Sequence, residues 1–198
     1  VTMIEKLYPE FIPNLSSARS PQGMNSALIK TYFAKKLNLD PKNIVVVSIM
    51  PCAAKKHEAA REELTMNGVP DTDYVLTTRE LGRLLRLRKV SMASLPEVEF
   101  DNPLGMSTGA GAIFGATGGV MEAAARTVYE VTRGEKLENV DIEPLRGLNG
   151  VKTLTVELKT NDKKPINVRL AVASGIANAH ILLEKMKNKE VAFDFLEV

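Results

Sequence analysis

The chain has 198 residues, 44% of them apolar and 25% charged, with a formal net charge of +2. This composition is typical of a globular protein that buries a core, and we expect one compact unit or two closely packed lobes. The small net charge argues against a nucleic-acid partner. Because no apolar run reaches the length of a membrane span and the N-terminus lacks the order of a secretion signal, we expect a soluble, cytoplasmic protein with no membrane span.

The sequence contains few side chains that bind metals, namely one cysteine, Cys52, and two histidines. A single cysteine excludes an internal disulfide, and so small a set cannot complete a cysteine and histidine metal site. Any metal cluster would need further ligands from elsewhere. The chain begins within a predicted helix over residues 1–8 and ends after a predicted strand over residues 192–196, so we expect the inner part of a larger domain.

A helix is predicted over residues 20–37. Serine is a favoured N-cap, so Ser20 would cap this helix, and Pro21 would occupy its first position. Apolar residues then follow at helical spacing as far as Leu37.

A strand followed by a helix is predicted twice in the next part of the chain. The strands cover residues 44–50 and 73–76, and the helices cover residues 53–66 and 78–89. The first strand is a continuous β-branched run, which predicts burial on both faces of a parallel sheet. A threonine with a carboxylate close behind it is expected to cap the second helix. Alternation of this kind favours an α/β fold with parallel strands.

The second half of the chain predicts a loop, a glycine-rich segment and a hairpin. No convincing strand is expected before the glycine-rich segment, and a helix follows it as far as Arg133. In chain order the predictions are an irregular loop over 91–102, the glycine-rich segment over 105–119, an antiparallel hairpin over 151–158 and 166–173, a helix over 175–189 and a strand over 192–196. The predicted fold is therefore α/β, with layered helices around a mainly parallel sheet and an appended antiparallel hairpin.

Cys52 lies where the first predicted strand turns into a helix. Open α/β sheets bind ligands at the carboxyl ends of their strands, and a helix N-terminus followed by Lys55 and Lys56 favours a thiolate. A small buried cysteine behind the strand is the alternative. A Cys–His nucleophile pair is another, although His57 lies off the same helical face and His180 could meet Cys52 only through the tertiary fold.

Five glycines lie between residues 109 and 119. Those at 109, 111 and 115 superficially match a dinucleotide-binding fingerprint, but neither a preceding strand nor a well-placed acidic residue supports that interpretation. Glycines entering a helix suggest instead that the backbone closely approaches a bulky group. Tight helix packing through small residues is the alternative.

Polar side chains also precede the helix predicted at Ser20. Hydroxyls, a guanidinium and an amide are found between Asn14 and Gln22. The start of a helix is a natural place for a polar or anionic ligand. Ordinary helix capping by Ser20 is the alternative.

Together these segments resemble the iron-only (FeFe) hydrogenases over essentially the whole chain. Met-Pro-Cys-x-x-Lys-Lys-x-Glu at residues 50–58 is similar to the second of that family's three cluster-binding signatures. Phe-Gly-Ala-Thr-Gly-Gly-Val-Met-Glu-Ala-Ala at residues 114–124, Ser-Pro-Gln at 20–22 and Val-Ala-Ser-Gly-Ile-Ala-Asn at 172–178 also look like family segments. The resemblance implies the large-subunit catalytic domain, with the first and third cysteine motifs outside this chain.

The resemblance implies an H-cluster, in which a 4Fe-4S cubane is joined through a cysteine sulfur to a two-iron unit carrying carbonyl, cyanide and a bridging dithiolate. Four cysteines hold it, and Cys52 would be one cubane ligand. Lys55 would donate a charge-assisted hydrogen bond to a cyanide of the two-iron unit. Ser16 matches a hydroxyl of the family's proton route.

The resemblance also implies which residues line the two-iron unit. Ser20 would lie near a cyanide and Gln22 near a carbonyl, and Phe114 would shield the open iron position. A dry apolar wall of this kind tunes the reduction potential. The complete implied set is Ser20, Pro21, Gln22, Met50, Pro51, Lys55, Gly111, Phe114 and Gly115.

The implied reaction is the reversible conversion of two protons and two electrons into dihydrogen. With one of four anchoring cysteines, the isolated chain is expected to hold no stable H-cluster and to be inactive. Implied partners are a ferredoxin or NAD(P)H-linked subunits as electron donor or acceptor, and hydrogenase maturation proteins. A hydrogenase-like iron-sulfur protein of the cytosolic assembly type is the first alternative, and a nucleotide-binding or interaction module is the second.

Overall fold

The computed structural model describes residues 1–106, 108–134, 143–144, 149–159 and 164–198. The chain divides into two compact units, unit 1 (Val1–Gly105) and unit 2 (Met106–Val198). None of the helices in the described ranges has both the length and the apolar character needed to cross a membrane.

Unit 1 contains mostly short helices. The helix predicted over residues 20–37 is confirmed as a continuous helical segment, with a π-helical section, Ile29–Phe33, in its middle. Ser20 is its N-cap and accepts a hydrogen bond from the backbone N–H of Gly23, with Pro21 in the first position as predicted. The α-helices are α1 (Thr2–Leu7), α2 (Pro21–Leu28), α3 (Ala34–Lys36), α4 (Ala54–Ala59) and α5 (Thr78–Leu87).

Two parallel strands carry the alternation predicted for unit 1. Strand β1 (Val47–Met50) pairs in parallel with β4 (Tyr74–Thr77), which is followed directly by α5. The prediction that the first strand is buried on both faces is wrong, because Val47 and Ile49 are each 49% exposed. Burial alternates along β1, so only one of its faces is covered.

The predicted helix over residues 53–66 is shorter than expected. Helix α4 ends at Ala59, and a 3-10 turn over Glu62–Leu64 leads into β2 (Thr65–Met66), which pairs antiparallel with β3 (Val69–Pro70). Asn67 and Gly68 between these strands both have positive φ, at 53° and 77°. An Asn-Gly pair of this conformation favours a two-residue hairpin turn, which draws the preceding residues out of the helix.

Two further predictions for unit 1 are confirmed. Helix α5 is capped by a reciprocal pair of hydrogen bonds between Thr77 and Glu80, the threonine and carboxylate arrangement that the sequence indicated. The irregular loop over residues 91–102 contains only a short 3-10 turn, Met92–Ser94.

Unit 2 is built on a four-stranded sheet. Its elements are α6 (Ala110–Ile113), α7 (Gly119–Arg133), β5 (Glu143–Pro144), β6 (Val151–Lys159), β7 (Pro165–Ala173), α8 (Ile176–Lys187) and β8 (Phe195–Glu197). The strands of the described residues lie in the order β5-β6-β7-β8. The predicted antiparallel hairpin is confirmed in β6 and β7, although its connection at residues 160–163 lies outside the described residues. It forms the middle of the sheet, and β8 adds in parallel to β7.

The predicted α/β class is confirmed, and the strands of the described residues are distributed over three sheets. In unit 2, α7 packs on the central hairpin and forms an apolar core. This core contains Met121 and Ala125 of the helix and Val156, Leu170 and Val172 of the strands. Burial of these side chains stabilises unit 2, because apolar burial is the main favourable term in folding.

Candidate functional site

Cys52 lies between the end of β1 and the start of α4, at the carboxyl end of a parallel strand. Its side chain is exposed, so the alternative of a small buried cysteine is wrong. Helix α4 begins two residues later, and the backbone N–H of Lys55 donates to the carbonyl oxygen of Cys52 at 3.3 Å. An exposed thiol in this position is accessible to a metal or a reagent.

Glu58 is the last residue of the motif around Cys52, residues 50–58, which is called the cysteine segment below. Its carboxylate joins this segment to Ser20, the N-cap of α2. Its Oε2 accepts a hydrogen bond from Lys55 Nζ at 2.5 Å, and its Oε1 accepts one from Ser20 Oγ at 2.5 Å. Burial by itself would raise the pKa of Glu58, but the hydrogen bonds from Lys55 and Ser20 outweigh it, so the pKa lies below its ordinary value. The carboxylate is therefore charged at neutral pH and holds both donors in place.

Gln22 is held by hydroxyl groups from other elements. Its Nε2 lies 2.8 Å from Ser48 Oγ on β1 and 2.8 Å from Thr72 Oγ1, just before β4. Thr72 in turn donates to Ser26 Oγ at 2.8 Å. The structure thus brings Ser20 and Gln22, both predicted site residues, into contact with the cysteine segment and the parallel strands.

Sequence reasoning missed the segment Asp71-Thr72-Asp73. Asp71 and Thr72 are 3% and 5% exposed, and Asp71 Oδ2 lies 2.5 Å from Arg19 Nε. Asp73 Oδ2 lies 2.7 Å from Lys30 Nζ and accepts a hydrogen bond from the backbone N–H of Val46 at 2.7 Å. Three consecutive polar residues directly before a strand were the available signal, since such side chains commonly bond backbone and neighbouring groups.

The remaining predicted residues of unit 1 occupy the surface or lie half-buried. Ser16 is exposed, and its Oγ accepts the backbone N–H of Ala18 at 3.1 Å. Pro21 and Pro51 are exposed and Met50 is half-buried. Of these four side chains, three are therefore exposed and that of Met50 is partly covered.

The glycine-rich segment of unit 2 separates into two parts. An added Cβ at Gly119 would lie 1.8 Å from the carbonyl oxygen of Ile113, so the helix-packing interpretation holds at that position. An added Cβ at Gly115 would meet only the carbonyl oxygen of Ala112, at an ordinary 3.5 Å. Gly111, Gly115 and Phe114 are all exposed.

A dinucleotide-binding site finds no support in unit 2. No strand occurs among the described residues between Thr77 and Gly109, whereas the fingerprint requires a strand immediately before its glycines.

Within the described part of the chain, no group of three or more His, Cys, Asp or Glu side chains could hold a metal ion.

Comparison with known proteins identifies the family. The whole chain, residues 1–198, matches the family described as the iron-only hydrogenase large subunit, C-terminal domain. The chain belongs to this iron-only hydrogenase family. It is 47% identical to the NADP-reducing hydrogenase subunit HndD of Solidesulfovibrio fructosivorans, over 93% of this chain and 31% of that protein.

Two further hydrogenases agree with this assignment. The periplasmic Fe hydrogenase large subunit of Nitratidesulfovibrio vulgaris is 42% identical, over 98% of this chain and 45% of that protein. The solved structure of apo FeFe-hydrogenase HydA1 from Chlamydomonas reinhardtii matches with a TM-score of 0.81 at 39% identity, over 98% of this chain and 55% of that one. The chain thus spans 31% to 55% of the length of these relatives.

The cytosolic assembly proteins are also similar, but less so. Cytosolic iron-sulfur assembly component 3 of Rattus norvegicus is 33% identical, over 98% of this chain and 41% of that protein. The hydrogenase interpretation is therefore supported better than this alternative.

Membership of the iron-only hydrogenase family implies an H-cluster in the full-length protein. The residues of unit 1 fit one part of such a site, because they include an exposed thiol at Cys52, an ammonium at Lys55 and a hydroxyl at Ser20. Thiolates are the usual ligands of iron-sulfur clusters. Since the sequence contains one cysteine, any further cysteine ligands of the cluster would come from outside these 198 residues.

Proposed function

We propose that this chain is the inner part of the H-cluster catalytic domain of an FeFe hydrogenase. The whole protein would catalyse the reversible reduction of two protons by two electrons to dihydrogen. One observation carries the proposal: an exposed cysteine at the end of a parallel strand is followed by Lys55, which shares the carboxylate of Glu58 with Ser20. Two segments distant in sequence, one around Ser20 and one around Cys52, are thus joined through Glu58.

Each polar residue of unit 1 has a proposed task in this site. Cys52 would ligate the cubane, and the bound H-cluster would supply the redox chemistry. Lys55 would donate to an anionic ligand of the two-iron unit, since a charge-assisted hydrogen bond is the strongest contact that an ammonium can make. Ser20 and Gln22 would line the same unit, and Met50 and Pro51 would give it an apolar wall. Ser16 would hold a proton at its hydroxyl oxygen as part of the proton route.

Unit 2 is proposed to contribute Gly111, Phe114 and Gly115 to the lining of the two-iron unit. Support comes from their exposure and from the absence of a packing reason for Gly115. A glycine allows the backbone to approach a bulky group closely, and an aromatic ring excludes water.

The proposed setting is the hydrogen metabolism of an anaerobic cytoplasm, with a ferredoxin or NAD(P)H-linked subunits exchanging electrons and hydrogenase maturation proteins assembling the cofactor. Similarity to an NADP-reducing hydrogenase supports a nicotinamide-linked partner. Since another relative is described as periplasmic, the location depends on the whole protein. With one of four cysteine ligands, the isolated chain is proposed to hold no stable H-cluster and to be inactive.

The test uses a full-length hydrogenase that contains this chain together with the remaining cysteine motifs. After reconstitution with iron, sulfide and a synthetic two-iron cofactor, hydrogen evolution from reduced methyl viologen is measured. We expect Cys52→Ala to abolish activity and Lys55→Ala to lower it by roughly 10- to 100-fold.

The matched control is Lys56→Ala. Lys56 is the next residue of α4, but its Nζ bonds Glu80 at 2.7 Å, so its loss should leave hydrogen evolution unchanged. Equal activity of Lys55→Ala and the unmodified protein would contradict the role of Lys55. A cubane spectrum without hydrogen at any cofactor load would contradict the hydrogenase function and favour the assembly-type relatives.

A further inference from the structure

The segment Asp71-Thr72-Asp73 contacts three points on the helical segment that begins with α2: one just before α2, one in its first turn and one in the π-helical section that follows it. Asp71 pairs with Arg19, Thr72 bonds Gln22, and Asp73 pairs with Lys30. The two outer contacts are ion pairs, and they fix the position of this segment relative to α2. The middle contact is therefore made by a residue whose backbone is held on both sides.

The hydroxyl of Thr72 belongs to a closed ring of hydrogen bonds. Gln22 Nε2 donates to Thr72 Oγ1 at 2.8 Å, Thr72 Oγ1 donates to Ser26 Oγ at 2.8 Å, and Ser26 Oγ donates to the backbone carbonyl oxygen of Gln22 at 3.0 Å. The second N–H of Gln22 points to Ser48 Oγ, also at 2.8 Å. Every donor in the ring has an acceptor.

The direction of the ring decides which end of the Gln22 amide faces Thr72. Ser26 donates its single proton to the backbone carbonyl oxygen of Gln22, so its Oγ accepts from Thr72 at 2.8 Å and from Gln22 Nε2 at 3.5 Å. Thr72 then has only lone pairs to offer Gln22, and these accept from an N–H. Gln22 Oε1 forms no hydrogen bond within the described part of the structure, so it remains available as an acceptor.

Burial makes this orientation costly to reverse. Ser26 is 2% exposed and Thr72 is 5% exposed, while Gln22 itself is half-buried. A flipped amide would place its oxygen beside Thr72 Oγ1, and Thr72 could bond it only by turning its proton away from Ser26. Buried polar groups that lose a partner cost more than the bond itself contributes.

We propose that Thr72, together with Ser26 and Ser48, is a positioning residue for Gln22, and that it leaves the amide oxygen of Gln22 as the available acceptor. Toward the cofactor this rests on the proposed function, in which Gln22 lines the two-iron unit. An available amide oxygen accepts hydrogen bonds, so it recognises an N–H or O–H group of whatever lies beside it.

The test takes advantage of the fact that Gln22 is the one glutamine in the sequence. Selective ¹⁵N-glutamine labelling of the whole chain gives a single side-chain amide pair in an NMR spectrum, without any cofactor. We expect both amide protons to exchange slowly with water. Thr72→Val should speed the exchange of one proton by up to about tenfold, the effect of losing one neutral hydrogen bond, and Thr72→Ser should restore it.

The control is Thr127→Val. Thr127 Oγ1 donates to the carbonyl oxygen of Ala123 within α7, so the same substitution there should not change the Gln22 signals. An amide pair in Thr72→Val with unchanged shifts and exchange would overturn the proposal, and so would fast exchange of both protons in the unmodified chain.

A second variant covers the case in which Thr72→Val does not fold. Ser48→Ala removes the other acceptor, so one proton should lose protection while the proton bonded to Thr72 keeps it. Protection of both protons in Ser48→Ala would overturn the proposal. Failure of the hydrogenase function would show separately, as a lack of hydrogen evolution by the reconstituted full-length protein.

Discussion

The two units differ in what they bury. In the described residues, all buried polar or charged side chains lie in unit 1, whereas the buried side chains of unit 2 are apolar. The polar set consists of Ser26, Lys30, Asp71 and Thr72.

This difference separates two tasks. Apolar burial stabilises a fold without directional preference, whereas hydrogen bonds and ion pairs fix the position and orientation of individual side chains. Unit 1 carries the cysteine segment and places its directional contacts around Ser20, Gln22 and Lys55. Two of the buried polar residues of unit 1, Ser26 and Thr72, therefore hold Gln22 of the proposed site, whereas the apolar interior of unit 2 stabilises its fold.

The largest effect is expected from removing the charge of Asp73. In Asp73→Asn, Lys30 keeps its charge at 4% side-chain exposure but loses its partner, which should lower the free energy of unfolding by about 3–5 kcal/mol. Urea denaturation, with hydrogen exchange resolved to unit 1 and unit 2, would measure this. The loss should be confined to unit 1.

Asp194→Asn in unit 2 is the matched control for Asp73→Asn. Asp194 also accepts a backbone N–H and pairs with a cation, both from Arg169, but on an exposed surface. We expect little change in unit 2, because exposed ion pairs contribute little. Equal effects of the two substitutions would contradict the view that buried polar contacts hold unit 1.

An intermediate effect is expected from crowding the backbone of unit 2. Gly119→Ala would place a Cβ 1.8 Å from the carbonyl oxygen of Ile113, and we expect a loss of about 1–3 kcal/mol because the start of α7 must shift. Gly115→Ala is the control, since its Cβ would meet no atom closer than 3.5 Å. Thermal denaturation of both variants measures the difference, and an equal loss in both would show that packing does not require Gly119.

The smallest effect concerns pH and Glu58. Because the native pKa of this carboxyl lies below its ordinary value of 4.5, its charge stabilises the fold above pH 4.5, and the contribution is lost as the pH falls through the native pKa. The stability difference between the unmodified chain and Glu58→Gln should be constant from about pH 5 to pH 7 and shrink at lower pH. Urea denaturation at several pH values measures this difference.

Glu62→Gln is the control for the pH experiment. Glu62 is exposed, and none of the described residues forms an ion pair with it. The same loss of a carboxylate should therefore leave stability almost unchanged at each pH. A stability difference for Glu58→Gln that persists undiminished at low pH would show that Glu58 acts through packing and not through its charge.

Local patterns predicted most of the elements. The Ser20 cap with Pro21, the Thr77 cap of α5 and the hairpin of β6 and β7 were all expected, since each depends on residues close together in the sequence. The errors have local reasons too. The Asn67-Gly68 turn shortened a predicted helix, and β1 is covered on one face only, which a β-branched run does not reveal.

For the candidate site, the sequence by itself determined the family segments and the position of Cys52 between a strand and a helix. Glu58 was visible there as part of a signature, but not as the carboxylate shared by Lys55 and Ser20. The burial of Asp71 and Thr72 and the ring around Gln22 were decided only by the tertiary structure. These contacts join residues about 50 positions apart, and a sequence pattern does not contain the distance or direction of a hydrogen bond between distant side chains.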